Sequence, residues 1–360
     1  MNSRERVIAA MRRKCPDRVP FDLTHGFTPM AFDEFRRRTG SDDPNEYFGT
    51  DTRVVWARPG KSVADYSGYH SETPVRAHID EWGIGHLPTV STDATHSHLE
   101  GFIYPLSGLR SAKEIANYPF PDVGAYYRHE HLASEVEDIH ERGLAACACL
   151  ECTIFEIAWY LRSMEDLLMD FMDNPEPAEV LLDRIVETRI QQTVHLASSG
   201  VDVLRLGDDI ASQRGMLMSL PTWRKWLKPR LADVIEAARK ANPDVLIFYH
   251  TDGNATAAVP DLIEIGVEIL NPVQPECMDL ASLKVRYGSD LSFWGTIGTQ
   301  TTLPFGTTED VRAEVKTHIA EVGSGGGLLL APTHTIEPEV PWENVLAFVD
   351  AVKKFGVYQN

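Results

Sequence analysis

From residue 131 onward, short apolar runs alternate with longer amphipathic stretches: LAACAC (144–149), VDVLRL (201–206), VLIFYH (245–250), VEILNP (267–272), LSFWGT (291–296) and GLLLAP (327–332). Runs of this kind have no polar side, so as strands they must be covered on both faces, and the helical stretches between them supply the cover. The pattern is that of parallel β-α units. Two earlier runs, RVPFDL (18–23) and DTRVVWA (51–57), bring the strand count to eight, the number that closes a barrel.

The expected fold is therefore a (β/α)8 TIM barrel, one α/β domain over residues 1–360, with an N-terminal helix and a long irregular insertion. The alternative, an open doubly wound sheet, would carry a glycine-rich nucleotide signature after a strand, and neither G-x-G-x-x-G nor G-x-x-x-x-G-K-[ST] follows any of the runs. The triple glycine at 325–327 precedes its strand and reads as a turn. Ser3, followed by Arg6 and by Val7, Ile8, Ala10 and Met11 at helical spacing, opens the first helix, which Pro16 ends. Residues 59–125, rich in Gly, Pro, Ser, Thr and His, form the insertion, with short hairpins. His70, His78, His86, His96 and His98 are irregularly spaced there and fit a surface loop better than a metal cluster.

Charge narrows the partners. With 34 basic against 53 acidic residues the net charge is −19, which repels nucleic-acid phosphates and anionic lipid. Arg36–Arg38 read as the solvated end of a helix. The five cysteines, at 15, 147, 149, 152 and 277, do not form a disulfide framework, and Cys149 with Cys152 lacks the second pair of a zinc site, so packing or incidental thiols are expected. The opening MNSRERVIAAMRRK has no signal-peptide core, and no window holds 18 uninterrupted apolar residues. A cytoplasmic protein binding neither nucleic acid nor membrane is expected.

In a barrel, residues just beyond the strand C-termini converge at one mouth. Here these are Thr24 and His25, then Glu151, Asp208 and Asp209 with Gln213 beyond them, His250 and Asp252, Asn271 and Gln274, Trp294 and Gln300, and finally His334. Each has a structural alternative. Asp252 before Gly253 could cap a helix, as could Asp208 or Asp209; Gln274 could bond a loop, and His250 could be a satisfied strand-end histidine. Trp159, Trp223 and Trp294 could line an apolar pocket or pack in the core. In combination, His250, Asp252 and His334 can give three ligands to one divalent ion with a position left open. Zinc accepts such donors, and iron, nickel or cobalt would too. Of the acid pair Asp208–Asp209, one carboxylate faces the pocket while its neighbour caps a helix.

Several runs resemble the superfamily of uroporphyrinogen decarboxylase and the cobalamin-related methyltransferases: SRERVIAAMRRKCPDRVPFD at the start, GDDIASQRGMLMSLPTWRKWLKPR (207–230), FYHTDGN (248–254), VPDLIEIGVEILNPVQP (259–275), FWGTIGTQTTLPFGTTEDVRAEV (293–315) and GGGLLLAPTHTIEPEVPWENV (325–345). The resemblance covers nearly the whole chain and implies a single (β/α)8 barrel. True porphyrinogen decarboxylases resemble one another in an arginine-rich segment near the first strand that grips the substrate's carboxylates. Here that place reads FDLTHGFTPMAF, without arginine, which argues against a porphyrinogen substrate. The methyltransferase branch has a zinc site of the form H-x-C followed much later by a single Cys. His250 matches its histidine, and Asp252 and His334 take the places of its two cysteines, giving a harder Lewis acid and a less assured thiol acceptor.

The function implied is a metal-dependent methyltransferase-like enzyme, moving a methyl group between a corrinoid on a partner protein and a small acceptor or donor. His250, Asp252 and His334 would hold the ion, with zinc expected. Glu151 would be a fourth, displaceable ligand or act with Asp208 and Asp209 as catalytic groups. Asp208, His25, Gln213, Asn271, Gln274, Trp294 and Gln300 would orient the small-molecule substrate. The alternatives are a metal-dependent lyase (decarboxylase) or hydrolase of a small oxygenated substrate, in which Asp208 or Asp209 moves the proton, and a non-catalytic ligand-binding barrel. A homodimer is left open.

Overall fold

The computed structural model describes residues 1–61, 64–70, 77–87 and 101–358. Its main sheet is parallel and seven-stranded, with Thr52–Val55, Ala145–Glu151, Val203–Gly207, Leu246–His250, Ile269–Asn271, Ser292–Ile297 and Leu328–Pro332 adjacent in chain order. Helices fill the connections, and the sheet curls as a half-barrel of the TIM-barrel kind. Side-chain alternation sorts the strands into two cores. Ala145, Cys147, Val203, Leu246, Phe248, Ile269, Trp294 and Leu329 meet on the concave face, while Leu204, Ile247, Leu270, Phe293 and Leu330 join the large core on the other. Burial on both faces is why the runs carry no polar stripe.

The eighth expected strand does not form a ladder. Residues 18–23 make one parallel bridge, Phe21 to Leu330, with Asp22 N donating to Leu330 O (3.1 Å) and Leu330 N to Pro20 O (3.0 Å). Pro20 has no N–H to give, and Asp22 spends its carboxylate on Thr24 N, Thr52 Oγ1 and Trp294 Nε1. On the other side Asp51 N donates to Phe21 O at 3.0 Å, just ahead of the first strand of the sheet.

The N-terminal helix, Ser3–Met11, presents Val7, Ala10 and Met11 to the concave core. Its capping box uses Asn2 and Glu5, one residue earlier than the Ser3–Arg6 spacing suggests. The helix is fastened by Asp51, fully buried, which accepts from Arg6 Nη1 (2.8 Å), from Arg18 Nη2 (2.8 Å) and Nη1 (2.9 Å), and from Phe21 N (2.9 Å). The glycines at 325–327 make the expected turn, where Gly327 N reaches Ala10 O at 2.8 Å.

Within the insertion, His78–Ile79, Gly85–Leu87 and Gly101–Ile103 form a small antiparallel sheet. His70 and His86 are used locally, on Gly83 O and Asp80 Oδ2, both at 2.9 Å, whereas His96 and His98 lie outside the described residues. Phe102 of that sheet stacks on Tyr160 (4.5 Å between centroids) and meets Trp159 edge-on (5.5 Å), so the insertion leans on the helix Phe155–Arg162. Arg36–Arg38 are exposed in the last turn of Pro29–Thr39, as expected. No helix among the described residues is long and apolar enough to cross a membrane.

Candidate metal centre at the strand ends

Strand register sets the site. Glu151, Gly207, His250 and Asn271 are partners across three successive strand pairs and share the inward parity, so they form one row at the C-terminal edge of the sheet. Gly207 is the gap in that row: a Cβ there would stand 2.6 Å from His250 Cβ, so only glycine lets the imidazole sit against its neighbour strand.

Three donors gather above the row. Ligand atoms of His250, Asp252 and His334 all lie within 4.8 Å of one another, the only such group of three or more among the described residues. His250 is buried, its Nδ1 2.6 Å from Asn271 Oδ1, and Asn271 Nδ2 donates to Trp294 O at 2.9 Å. That fixes the Asn271 oxygen toward His250, so Nδ1 carries a proton and Nε2 faces the acids. His250 Nε2 is 3.7 Å from Asp209 Oδ1 and 3.8 Å from Asp252 Oδ1. Asp252 Oδ1 is buried without a hydrogen-bond partner.

The loop bearing Asp252 is tied down by backbone contacts. Asp252 N donates to Asp209 Oδ1 (2.7 Å), and Gly253 N to Gln274 Oε1 (2.7 Å). Gly253 has φ +80, and a Cβ there would meet Ser212 O at 2.5 Å. Asp252 caps no helix, since the next one, Val259–Glu264, begins seven residues later. The capping alternative for this residue is thereby removed.

A second set stands beside the donors. His25 Nε2 is 2.8 Å from Glu151 Oε2, while Arg205 Nε and Nη2 donate to Glu151 Oε1 at 2.9 and 2.8 Å. Burial would raise the Glu151 carboxyl, but the Arg205 charge and the contact with His25 hold it well below its ordinary value. Burial pulls His25 down to about 4, against Glu151. His250 goes the other way: burial opposes its charge, but Asp252, Glu151 and Asp209 outweigh it and raise it to about 9. Burial lifts Asp252 to about 6, only partly countered by His250. The pocket is thus a concentration of negative charge that His250 answers with a proton.

The acid pair divides as the sequence suggests. Asp208 is buried and accepts from Ile154 N with both oxygens (3.0 Å) and from Glu156 N (3.0 Å), capping the helix Phe155–Arg162, which has no cap of its own. Both of its oxygens are engaged at that helix N-terminus. Asp209 is the member at the pocket.

Three expected substrate contacts are also structural. Asn271 is fully buried and engaged with His250, and Gln274 is buried and holds Gly253. Trp294 is not at the mouth: it lies mid-strand, fully buried, edge-on to Phe248 at 5.3 Å, with its indole N–H on Asp22. Trp223 is likewise core, whereas Trp159 is half-buried. Gln213 and Gln300 are exposed and bonded to each other at 2.6 Å, spanning two loops. The thiols are free, and burial pushes Cys149 up to about 12, away from an activated thiolate.

Two groups escaped the sequence reading. Arg205 sits inside an apolar strand run, and its partner Glu151 is the only hint of it. Glu156, inside FEIAWYLR, looks like an ordinary helix residue. It is buried, accepts from Tyr160 Oη (3.0 Å) and Asp209 N (3.1 Å), and is raised to about 8 by burial and by the Asp209 and Asp208 charges.

Comparison with known proteins places this site in a family. The protein is similar to uroporphyrinogen decarboxylases from Hydrogenobaculum sp. (strain Y04AAS1), 23% identical over 182 residues (51% of this chain, 50% of that protein), and Pseudomonas syringae pv. syringae (strain B728a), 27% identical over 188 residues (51% and 50%). The chain spans about half the length of these relatives. Among solved structures, a methyltransferase from Methanosarcina mazei has the same fold, with a TM-score of 0.66 at 20% identity, covering 99% of both chains. The model of the uroporphyrinogen decarboxylase (URO-D) family matches residues 147–355, a stretch that contains His250, Asp252 and His334 and more than half of the chain, and the protein belongs to that family.

Proposed function

We propose that this chain is a closed (β/α)8 barrel, with residues 18–23 in the eighth strand position, and that it is a metal-dependent methyltransferase-like enzyme. The observation that carries the reading is the donor group itself: two imidazoles and a carboxylate from two separate strand ends, within 4.8 Å, with Asp252 Oδ1 buried and without a hydrogen bond. A buried carboxylate oxygen without a partner is costly, and a cation removes the cost. The same acids that hold a proton on His250 favour a divalent ion in its place.

The donor set suits zinc and admits iron, nickel or cobalt. Bound there, such an ion supplies Lewis acidity, lowering the pKa of a thiol or oxygen acid. The chain's own residues do the positioning. Asn271 fixes the His250 ring, Asp209 and Gln274 fix the loop of Asp252, and Asp208 anchors the helix that carries Glu156. A small substrate would meet the pocket between these groups and the exposed Gln213–Gln300 bridge.

Support for methyl transfer comes from the H-x-D and late His at the positions of a methyltransferase's zinc ligands. The partner would be a corrinoid protein. A carboxylate and an imidazole in place of two thiolates favour an oxygen-bound over a sulfur-bound methyl group. The test is methyl transfer to or from a methylated corrinoid protein, with metal content measured in parallel for Asp252→Ala and His334→Ala. Loss of both metal and transfer is expected, and unchanged metal and activity would remove the reading.

A second reading, a lyase or hydrolase, is favoured by Glu156, a buried carboxyl next to Asp209 whose pKa burial and the Asp209 charge raise toward proton exchange. Turnover of a small oxygenated substrate without any corrinoid protein would decide for it.

A further inference from the structure

The geometry points to His25 as a fourth protein ligand, with Glu151 as the carboxylate that orients it, which reverses the roles that strand-end position alone suggests. This rests on the metal reading above and deepens it. His25 forms a triangle with the other two imidazoles: its ring centroid is 5.0 Å from that of His250 and 5.1 Å from that of His334, and those two are 6.2 Å apart.

The tautomer follows from the partners. The buried Arg205 guanidinium, bonded twice to Glu151 Oε1, favours Glu151 as a carboxylate, whose Oε2 then accepts. His25 Nε2, 2.8 Å away, therefore carries the proton, and Nδ1 keeps its lone pair. Nδ1 is buried and has no hydrogen-bond partner. A metal-bound histidine ordinarily donates its other N–H to a carboxylate in this way, and Arg205–Glu151–His25 reproduces that arrangement with the ligating nitrogen left open.

His25 lies outside the three-donor group, so its ligation would need its ring to swing toward the ion. Donors about 2.05 Å from a tetrahedral zinc stand roughly 3.3 Å apart, inside the 4.8 Å within which the three donors here all lie. The His25 ring is 5.0 and 5.1 Å from the other two imidazoles, close enough for a small side-chain movement to bring Nδ1 to an ion they hold. Glu151, spent on Arg205 and His25, is then an outer-sphere group and not a displaceable ligand.

The experiment is zinc affinity, by competition with a chromogenic chelator, and the visible spectrum of the cobalt(II) form, for the full chain and His25→Ala, Glu151→Gln and Asp252→Ala, with circular dichroism to verify folding. The expectation is a loss of at least 100-fold in affinity for His25→Ala with a weaker, higher-coordinate cobalt spectrum, restored in part by added imidazole. Glu151→Gln should lose about 10–100-fold. If His25→Ala retains wild-type affinity and spectrum while Asp252→Ala has lost the metal, the inference is wrong and the metal reading stands. If the wild-type chain binds neither zinc nor cobalt, both are overturned.

Discussion

The Nδ1 of His250 and the Oδ1 of Asn271 lie 2.6 Å apart at adjacent strand ends, and Asn271 is held in that orientation by its own bond to the Trp294 carbonyl. The pairing directs Nε2 of His250 into the acid-lined pocket. An Asn271→Ala variant should keep its fold and lose about 10–100-fold in zinc affinity, the usual effect of removing a residue that orients a ligand. Isothermal titration with zinc, beside a thermal melt, separates lost orientation from lost stability.

Asp208 and Asp209 are neighbours with different tasks. Asp208→Ala removes the cap of the helix Phe155–Arg162 and should cost ~1–2 kcal/mol of stability, with metal content unchanged. Chemical denaturation checks the first and metal analysis the second. A catalytic Asp208 would instead show wild-type stability and lost turnover.

Glu156 provides the pH test. Its carboxyl is raised from 4.5 to about 8 by burial and by its acidic neighbours, so between those values the folded chain holds a proton that the unfolded chain has released. The unfolded state therefore binds fewer protons, and this contribution to stability, complete below the unfolded pKa, is lost as pH rises toward 8. Denaturation midpoints measured across that window should fall more steeply for the wild type than for Glu156→Gln.

At the opposite end of the sheet, Asp51 joins the N-terminal helix to Arg18 and Phe21. Asp51→Ala leaves the largely buried Arg6 without that partner and should destabilise the protein by ~3 kcal/mol. Urea titration would register this as a lower midpoint with little effect on the distant pocket.

Much of this was legible in the sequence because apolar runs and strand ends are one-dimensional signals. Seven of eight expected strands form, and Ile269–Asn271 ends just before Pro272, which cannot donate to a ladder. The run at 18–23 fails as a strand for a similar reason at Pro20. His250, Asp252 and His334 could be paired across the chain because each follows a strand. Trp294 was misplaced by the same rule, since it lies a full pleat below the strand's end, where alternation points it into the core. Arg205 and Glu156 carried no signal, because a charge in a buried strand or on an ordinary-looking helix is explained only by partners distant in sequence.

The ion proposed for this pocket would be held by His250, Asp252 and His334. Anomalous diffraction from one crystal grown with zinc, collected on both sides of the zinc edge, tests it directly. The account predicts a single strong peak about 2.0–2.2 Å from His250 Nε2, an Asp252 oxygen and a His334 nitrogen. An absence of any peak at that position, or an ion bound elsewhere while these three side chains stay apart, would contradict it.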